Sequence, residues 1–218
     1  MSNHLVLGIE TSGIRCSVAW WQNGSVLLEY NLDRKNEHAV LLAALVEKGF
    51  KELGFNPGTA THVVVGSGPG SFTGLRIGMS YAKGFCFGHN IPLIPVTNFE
   101  VLSDLAEDDK FPVYTLIEAG RGNYYTGIFK KEKSTLDQKF LSPVSQLEQQ
   151  LSENGQVVVH EENSKGFIEQ SFGKFIKIVD GQYHAARLCL LGYNKQNDPY
   201  KDLNEIEPLY LQKFAGVS

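Results

Sequence analysis

A turn near the amino terminus carries the first residues whose types could do chemistry. The segment GIETSG at positions 8–13 ends an apolar run with an acid, Glu10, and follows it with two small hydroxyl residues, Thr11 and Ser12. An acid and two hydroxyls at the end of a strand can contact a phosphate and a metal-bound water. Because the same letters are common in ordinary turns, the segment alone gives only a weak prediction of a nucleotide or phosphate site.

A glycine-rich segment, GSGPGSFTG at positions 66–74, is the second candidate for phosphate binding. It follows the apolar run HVVV and leads into a helical pattern, so Gly70, Ser71 and Thr73 would lie at a helix start, where backbone N–H groups favour an anion. The segment is not a P-loop, because that motif needs Gly-Lys-Ser/Thr and Leu75 follows the last glycine here. A sharp strand-to-helix turn is the alternative interpretation.

Small residues recur four apart along the helix that follows. Gly74, Gly78 and Ala82 share one face, and Tyr81 lies on an adjacent one. A glycine inside a helix costs about 1 kcal/mol relative to alanine, so its presence needs a reason. We expect these four residues to contact a partner helix that approaches closely.

The first predicted helix has an apolar run of eight residues, from Ala39 to Val46. A surface helix normally has one apolar face and one polar face, so this helix should be covered on both sides. We therefore expect a partner to contact it, through Leu41, Leu42, Leu45 and Val46. A deeply buried helix is the alternative.

No metal site and no catalytic residue are predicted. A zinc site on the first helix would need a second ligand three or four residues after His38, and Leu41 and Leu42 occupy those positions. The other histidines form no pair at ligand spacing along the sequence. Triads of Ser, His and Asp are spatial arrangements, so the sequence alone cannot show one.

Composition places the chain among ordinary globular proteins. It has 218 residues, 42% of them hydrophobic, and a formal net charge of −4. That charge argues against RNA binding by the chain alone, since the basic segment Lys130–Lys133 is short. Three cysteines without C-x-x-C spacing indicate free thiols and a cytoplasmic location. Neither a signal peptide nor a membrane span is expected.

The order of predicted elements repeats once along the chain. Each half contains three strands, a helix, a strand, a helix, a strand and a helix, which predicts two α/β lobes with a cleft between them. In the second half, a helix is expected at 163–172 and a strand at 174–179. We place the amino-terminal lobe at 1–107 and the carboxy-terminal lobe at 108–218, with the last segment packing back on the first lobe.

Several segments together resemble the TsaB (YeaZ) family. They are LGIETSGIRCSVAW, GSGPGSFTGLRIGMSYAKGF, IPLIPVTNFEVLSDLA, IEAGRGNYY and EPLYLQKF, and they extend over both halves. The string GPGSFTGLRIG is the most specific of them. The resemblance implies a two-lobed actin-like, sugar-kinase-type (RNase H-like) fold.

The resemblance also implies a non-catalytic role. TsaB-like proteins pair with a larger catalytic homologue, TsaD, and with a small ATPase, TsaE. The complex transfers a threonylcarbamoyl group to adenosine 37 of tRNAs that read codons beginning with A. The family implies pairing through the first two helices. The apolar run Ala39–Val46 predicts a homodimer in isolation. We also expect tRNA contact only through the complex and no tightly bound cofactor, with ATP or ADP at the complex interface.

Three positions depart from the family pattern. Glu10 replaces an aspartate, Glu118-Ala119-Gly120-Arg121 replaces Asp-Ala-Arg-Arg, and the first helix begins His38-Ala39 rather than His-Ser. Of the two histidines that form the catalytic relative's metal motif, only His38 is present. An ATP-dependent phosphotransferase and a metallopeptidase remain the alternative functions.

Overall fold

The structure, a computed structural model, describes residues 4–34, 36–107, 111–151, 155–159, 179–180, 183–195 and 202–211. The chain forms two compact units. One consists of Met1–Thr97 and Tyr183–Leu209, and the other of Asn98–Gln182 and Tyr210–Ser218.

The first unit is built on a five-stranded mixed sheet with strand order β3-β2-β1-β4-β5. The strands are β1 (Leu5–Glu10), β2 (Arg15–Gln22), β3 (Ser25–Asp33), β4 (His62–Gly66) and β5 (Leu93–Val96). The antiparallel β1–β2–β3 part meets the parallel β1–β4–β5 part at β1. Since Glu10 ends β1 and Gly66 ends β4, the two candidate segments begin at the same edge of the sheet.

Helices cover both faces of this sheet. Helices α1 (His38–Leu53) and α2 (Phe72–His89) pack on the face that carries Leu7 and Ile9. Alternate residues of a strand point to opposite faces, so Gly8 points to the other face, against Ala185 and Cys189 of helix α5 (Ala185–Asn194). A short 3₁₀ helix, Pro57–Thr59, connects α1 to β4.

The N-cap residue of helix α5, His184, makes no side-chain capping bond. Side chains of the sheet cap the helix instead. The backbone N–H of Ala185 donates to Ser17 Oγ at 2.9 Å, and that of Ala186 donates to Glu29 Oε1 at 2.9 Å. These bonds satisfy two N–H groups that a helix start leaves without intrahelical acceptors. Strands β2 and β3 therefore fix where this late segment docks.

The second unit repeats the strand order of the first, as β8-β7-β6-β9-β10. Its strands are β6 (Val113–Gly120), β7 (Asn123–Phe129), β8 (Gln138–Pro143), β9 (Gln156–Val159) and β10 (Val179–Asp180), and its helices include α3 (Asn98–Ser103) and α4 (Val144–Gln150). The helix expected at 163–172 lies outside the described residues, and so does the strand expected at 174–179, except Val179.

The predicted lobe boundary at 107 is about ten residues too late. Helix α3 belongs to the second unit because it packs on β6, β7 and β9. Its Phe99 is fully buried there, against Gly127. In return, Tyr183–Leu209 belongs to the first unit. Helix α3, the last helix of the first half of the sequence, thus packs on the sheet of the second unit. Helix α5, from the second half of the sequence, packs on the sheet of the first unit.

Candidate functional site

Glu10 lies buried at the carboxyl end of β1, with 1% of its surface exposed. Its Oε1 accepts a hydrogen bond from the backbone N–H of Ser12 at 2.5 Å, whereas Oε2 is buried with no hydrogen-bond partner among the described residues. Burial raises the pKa of Glu10, and the hydrogen bonds from Ser12 oppose that shift. The carboxyl therefore organises its own turn rather than facing solvent.

Gly66 leaves the space that this carboxyl fills. A Cβ added at Gly66 would come within 1.9 Å of Glu10 Oε2. Real Cβ atoms do not approach an oxygen so closely, so any side chain at position 66 would force Glu10 to move. The first glycine of the glycine-rich segment thus accommodates a side chain of the neighbouring strand.

Gly74 and Gly78 face the chain's own β1–β2 turn, which contradicts the prediction that they contact a partner. An added Cβ would meet Thr11 O at 2.0 Å from position 74 and Thr11 Oγ1 at 2.3 Å from position 78. Thr11 Oγ1 also donates to Gly74 O at 2.8 Å. Ala82, on the same face, is fully buried. These small residues let α2 pack closely on the lobe's own sheet.

The two predicted phosphate-binding segments lie against each other. The backbone N–H of Ser71 donates to Ser12 O at 2.7 Å, and Gly70 lies over Ser12, where an added Cβ would be 2.7 Å from the same oxygen. Ser71 caps α2, since its Oγ accepts from Gly74 N at 3.2 Å. Thr73 is exposed on the first turn of α2.

The structure thus brings together Glu10, Thr11, Ser12, Gly70 and Ser71, but several of their polar groups are already hydrogen-bonded within the lobe. The Thr11 hydroxyl and the Ser12 carbonyl are engaged within the lobe. The arrangement can hold the turn and the helix start in a fixed position, and nucleotide binding stays a prediction.

Three of the predicted contact residues on α1 belong to the core. Leu42, Leu45 and Val46 are buried in the cluster between α1, α2 and the sheet, with Leu42 only 1% exposed. The apolar run misled the prediction because a helix turns every 3.6 residues, so residues three or four positions apart, such as Leu42, Leu45 and Val46, share the inward face. Of the eight predicted partner-contact residues, Leu41 and Tyr81 are partly exposed.

The uncovered face of α1 and α2 is formed by residues other than the eight predicted contact residues. Val40 is 78% exposed and Phe87 is 83% exposed, the highest values among the large hydrophobic residues described. Small exposed residues accompany them on the two helices: Ala39, Ala43, Ala44, Ser80, Gly84 and Gly88. The signal was present, because these are the positions between the buried ones in the helical period. We call this set, with Val40 and Phe87, the α1–α2 face.

Helices α1 and α2 lie side by side and run in the same direction. Phe50 of α1 stacks on Phe85 of α2 with ring centroids 5.9 Å apart. One turn earlier on each helix, Glu47 lies near Tyr81, and burial together with that carboxylate raises the pKa of the Tyr81 phenol. The ordered pairs place Val40 toward one end of the face and Phe87 toward the other.

No second histidine lies one turn after His38 on α1. This residue begins α1 and is buried, and Leu42, one turn later, lies in the core. Within the described ranges, no group of three or more His, Cys, Asp or Glu side chains could hold a metal ion. None of the helices described is both long and apolar enough to cross a bilayer.

The repeated sheet order defines the class of protein, an actin-like, sugar-kinase-type α/β fold, as the sequence predicted. YeaZ from Pseudomonas aeruginosa matches with a TM-score of 0.76 and 22% identity, covering 97% of this chain and 100% of that one. The activator of the 2-hydroxyisocaproyl-CoA dehydratase from Clostridium difficile, with bound ADPNP, matches with a TM-score of 0.54 and 7% identity over 94% of this chain and 99% of that one. At these identities the likeness concerns the fold.

The chain belongs to the family described as TsaD: tRNA N6-adenosine threonylcarbamoyltransferase, whose model matches residues 32–198. Its similarity to the TsaB and YeaZ proteins, expected from the sequence, is confirmed.

Two of the similar relatives are tRNA threonylcarbamoyladenosine biosynthesis proteins TsaB. The Bacillus subtilis protein is 29% identical over 61% of this chain and 58% of its own length. The Escherichia coli protein is 29% identical over 59% and 56%. A tRNA N6-adenosine threonylcarbamoyltransferase from Streptococcus pneumoniae is 29% identical over 55% and 41%. The matched region spans a little over half the length of the TsaB relatives.

Proposed function

We propose that this chain is a non-catalytic subunit for tRNA threonylcarbamoyladenosine biosynthesis in the cytoplasm. It pairs with a TsaD-like catalytic homologue and acts with a TsaE-like ATPase. The complex modifies adenosine 37 of tRNAs that read codons beginning with A. The family membership and the names of the TsaB relatives support this role.

The α1–α2 face is the observation that carries the proposal. Val40 and Phe87 are exposed apolar side chains at the two ends of this face, and burial of each such side chain by a partner contributes about 1.5–3 kcal/mol. Gly84 and Gly88 flank Phe87, and an added Cβ at either glycine would meet nothing within 4 Å. A partner helix can therefore approach the backbone of α2 closely while it covers Phe87. A second copy of this chain occupies the same face when the homologue is absent.

The polar groups of the predicted phosphate turn are buried or already hydrogen-bonded, which supports a non-catalytic role for this chain. Glu10 is buried, Thr11 donates its hydroxyl to α2, and His38 lacks a second histidine one turn later. No reaction step is assigned to these residues. ATP or ADP, where needed, binds at the interface of the complex rather than tightly to this chain.

Reconstitution tests the proposal. The assay measures threonylcarbamoyl transfer to tRNA by the TsaD-like and TsaE-like proteins of the same organism, with and without this chain. We expect no transfer without this chain, and no ATP or peptide hydrolysis by this chain alone. Robust ATP turnover by the isolated chain that is lost in Glu10→Ala would instead support the phosphotransferase alternative.

A further inference from the structure

Two histidines that are 58 positions apart in the sequence meet at one end of the first sheet. His4 immediately precedes β1 and His62 begins the parallel neighbour β4, where it pairs with Val6. Positions 4 and 6 point to the same face of a strand, so both imidazoles lie on one face. Their ring centroids are 6.0 Å apart.

A hydrogen-bond chain favours one tautomer of His62. The Thr61 hydroxyl lies 3.0 Å from Leu5 O, to which it can donate its proton. Its oxygen also lies 3.1 Å from His62 Nδ1, where it then accepts the Nδ1–H of that ring. In that tautomer neutral His62 holds its lone pair on Nε2. Histidines that bind metals are commonly oriented in this way, through a hydrogen bond from the other ring nitrogen.

Aromatic residues of α5 and β2 pack beside His4. The ring of Tyr193, at the end of α5, packs edge-on against His4 with centroids 5.8 Å apart, and Trp21 packs on Tyr193 at 4.5 Å. The two imidazoles thus lie beside an aromatic cluster.

We propose that His4 and His62 form a two-imidazole site for a borderline divalent transition-metal ion of the Cu²⁺, Ni²⁺ or Zn²⁺ class. Imidazole suits these ions. With metal–nitrogen bonds of about 2.0–2.1 Å, one ion bound by both rings would bring the ring centroids to roughly 4.5 Å at the 90° angle of tetragonal Cu²⁺, or to roughly 5 Å at a tetrahedral angle. The rings must therefore close by roughly 1–1.5 Å to form the site. Water completes the coordination, and the ion exchanges readily because only two protein ligands hold it.

Calorimetric titration of the full chain with CuCl₂ and with ZnCl₂ at neutral pH tests the site. We expect one equivalent of Cu²⁺, with Zn²⁺ binding more weakly at the same site. His4→Gln and His62→Gln should each weaken binding by at least about tenfold, while His89→Gln, which changes an exposed histidine of α2, should leave it unchanged. Absence of Cu²⁺ binding, or binding that survives His62→Gln, would overturn the proposal.

Two further measurements separate metal ligation from a purely structural role. The electron paramagnetic resonance spectrum of the Cu²⁺-loaded wild-type chain should show hyperfine splitting from two equatorial nitrogens, and the signal should diminish as protons compete at acid pH. Thr61→Val, which removes the acceptor for His62 Nδ1–H, should weaken Cu²⁺ binding by about 10–100-fold. A one-nitrogen spectrum, or unchanged affinity in Thr61→Val, contradicts the site.

Discussion

The hydroxyl of Thr11 lies in the space that a side chain at position 78 would occupy. A Cβ built on Gly78 would be 2.3 Å from Thr11 Oγ1, and the same hydroxyl donates to Gly74 O. The glycines in this part of α2 are therefore needed by the fold of the first unit itself. They join the start of a helix to the turn that follows β1.

Gly78→Ala should destabilise the isolated chain. The helix propensity of alanine contributes about 1 kcal/mol, but the buried methyl overpacks the contact with Thr11 at a cost of about 1–3 kcal/mol. Because neither α2 nor the β1–β2 turn can withdraw freely, we expect a net loss of up to about 2 kcal/mol in the free energy of unfolding. Urea denaturation measures it, and a gain in stability would show that the turn yields to the methyl.

Gly84→Ala is the matched change on the exposed side of the same helix. An added Cβ there meets nothing within 4 Å, so the propensity term acts alone and should stabilise the isolated chain by about 1 kcal/mol. The same methyl occupies the α1–α2 face, and association should weaken. Thermal melting measures the change in stability, and sedimentation of the same sample measures the change in association. If the variant is more stable but associates as strongly as wild type, Gly84 does not lie in the interface.

Glu10→Gln should change how stability depends on pH. The pKa of Glu10 is raised above its ordinary value of 4.5 in the folded chain, so the folded state holds the proton more tightly than the unfolded state does. This contribution is fully present below pH 4.5 and is lost as pH rises through the folded pKa. Glutamine stays neutral throughout, so the stability of the variant relative to wild type should increase with pH above 4.5. Denaturation of both proteins at several pH values measures the difference, and a pH-independent difference would contradict the account.

Ser17→Ala should weaken the docking of α5. Ser17 is fully buried and accepts the N–H of Ala185, so its loss leaves a buried donor at the start of a helix. Loss of a capping side chain costs about 0.5–2 kcal/mol. Ser25→Ala, in the exposed start of β3, is the control and should change stability by less than about 0.5 kcal/mol. Equal stabilities of the two variants would mean that water replaces the Ser17 cap.

The sequence predicted the fold more successfully than the surfaces. Hydrophobic runs and turn residues such as Asn23-Gly24, which both adopt positive φ in the β2–β3 hairpin, are local signals and gave the element order. The assignment of α3 to the second unit depends on packing between distant residues such as Phe99 and Gly127, which no local pattern records.

The candidate contact residues failed for a related reason. Apolarity selected Leu42 and Leu45, but their positions in the helical period place them on the face that packs on the sheet. The exposed Val40 and Phe87 are apolar too, and only the direction of each helix relative to its sheet distinguishes them. His4 and His62 were likewise separate in sequence and adjacent on parallel strands.

Binding of the TsaD-like homologue to Phe87→Arg tests the central claim most directly. The matched control is Leu190→Arg, which places the same charge at an exposed leucine (41%) on α5, on the opposite side of the first sheet. We predict that affinity measured by calorimetry falls at least about 100-fold in Phe87→Arg, because a partner that covers Phe87 would bury an unpaired charge, and that Leu190→Arg binds like wild type. Wild-type affinity in Phe87→Arg, with the fold intact by circular dichroism, would contradict the assignment of the α1–α2 face as the partner surface.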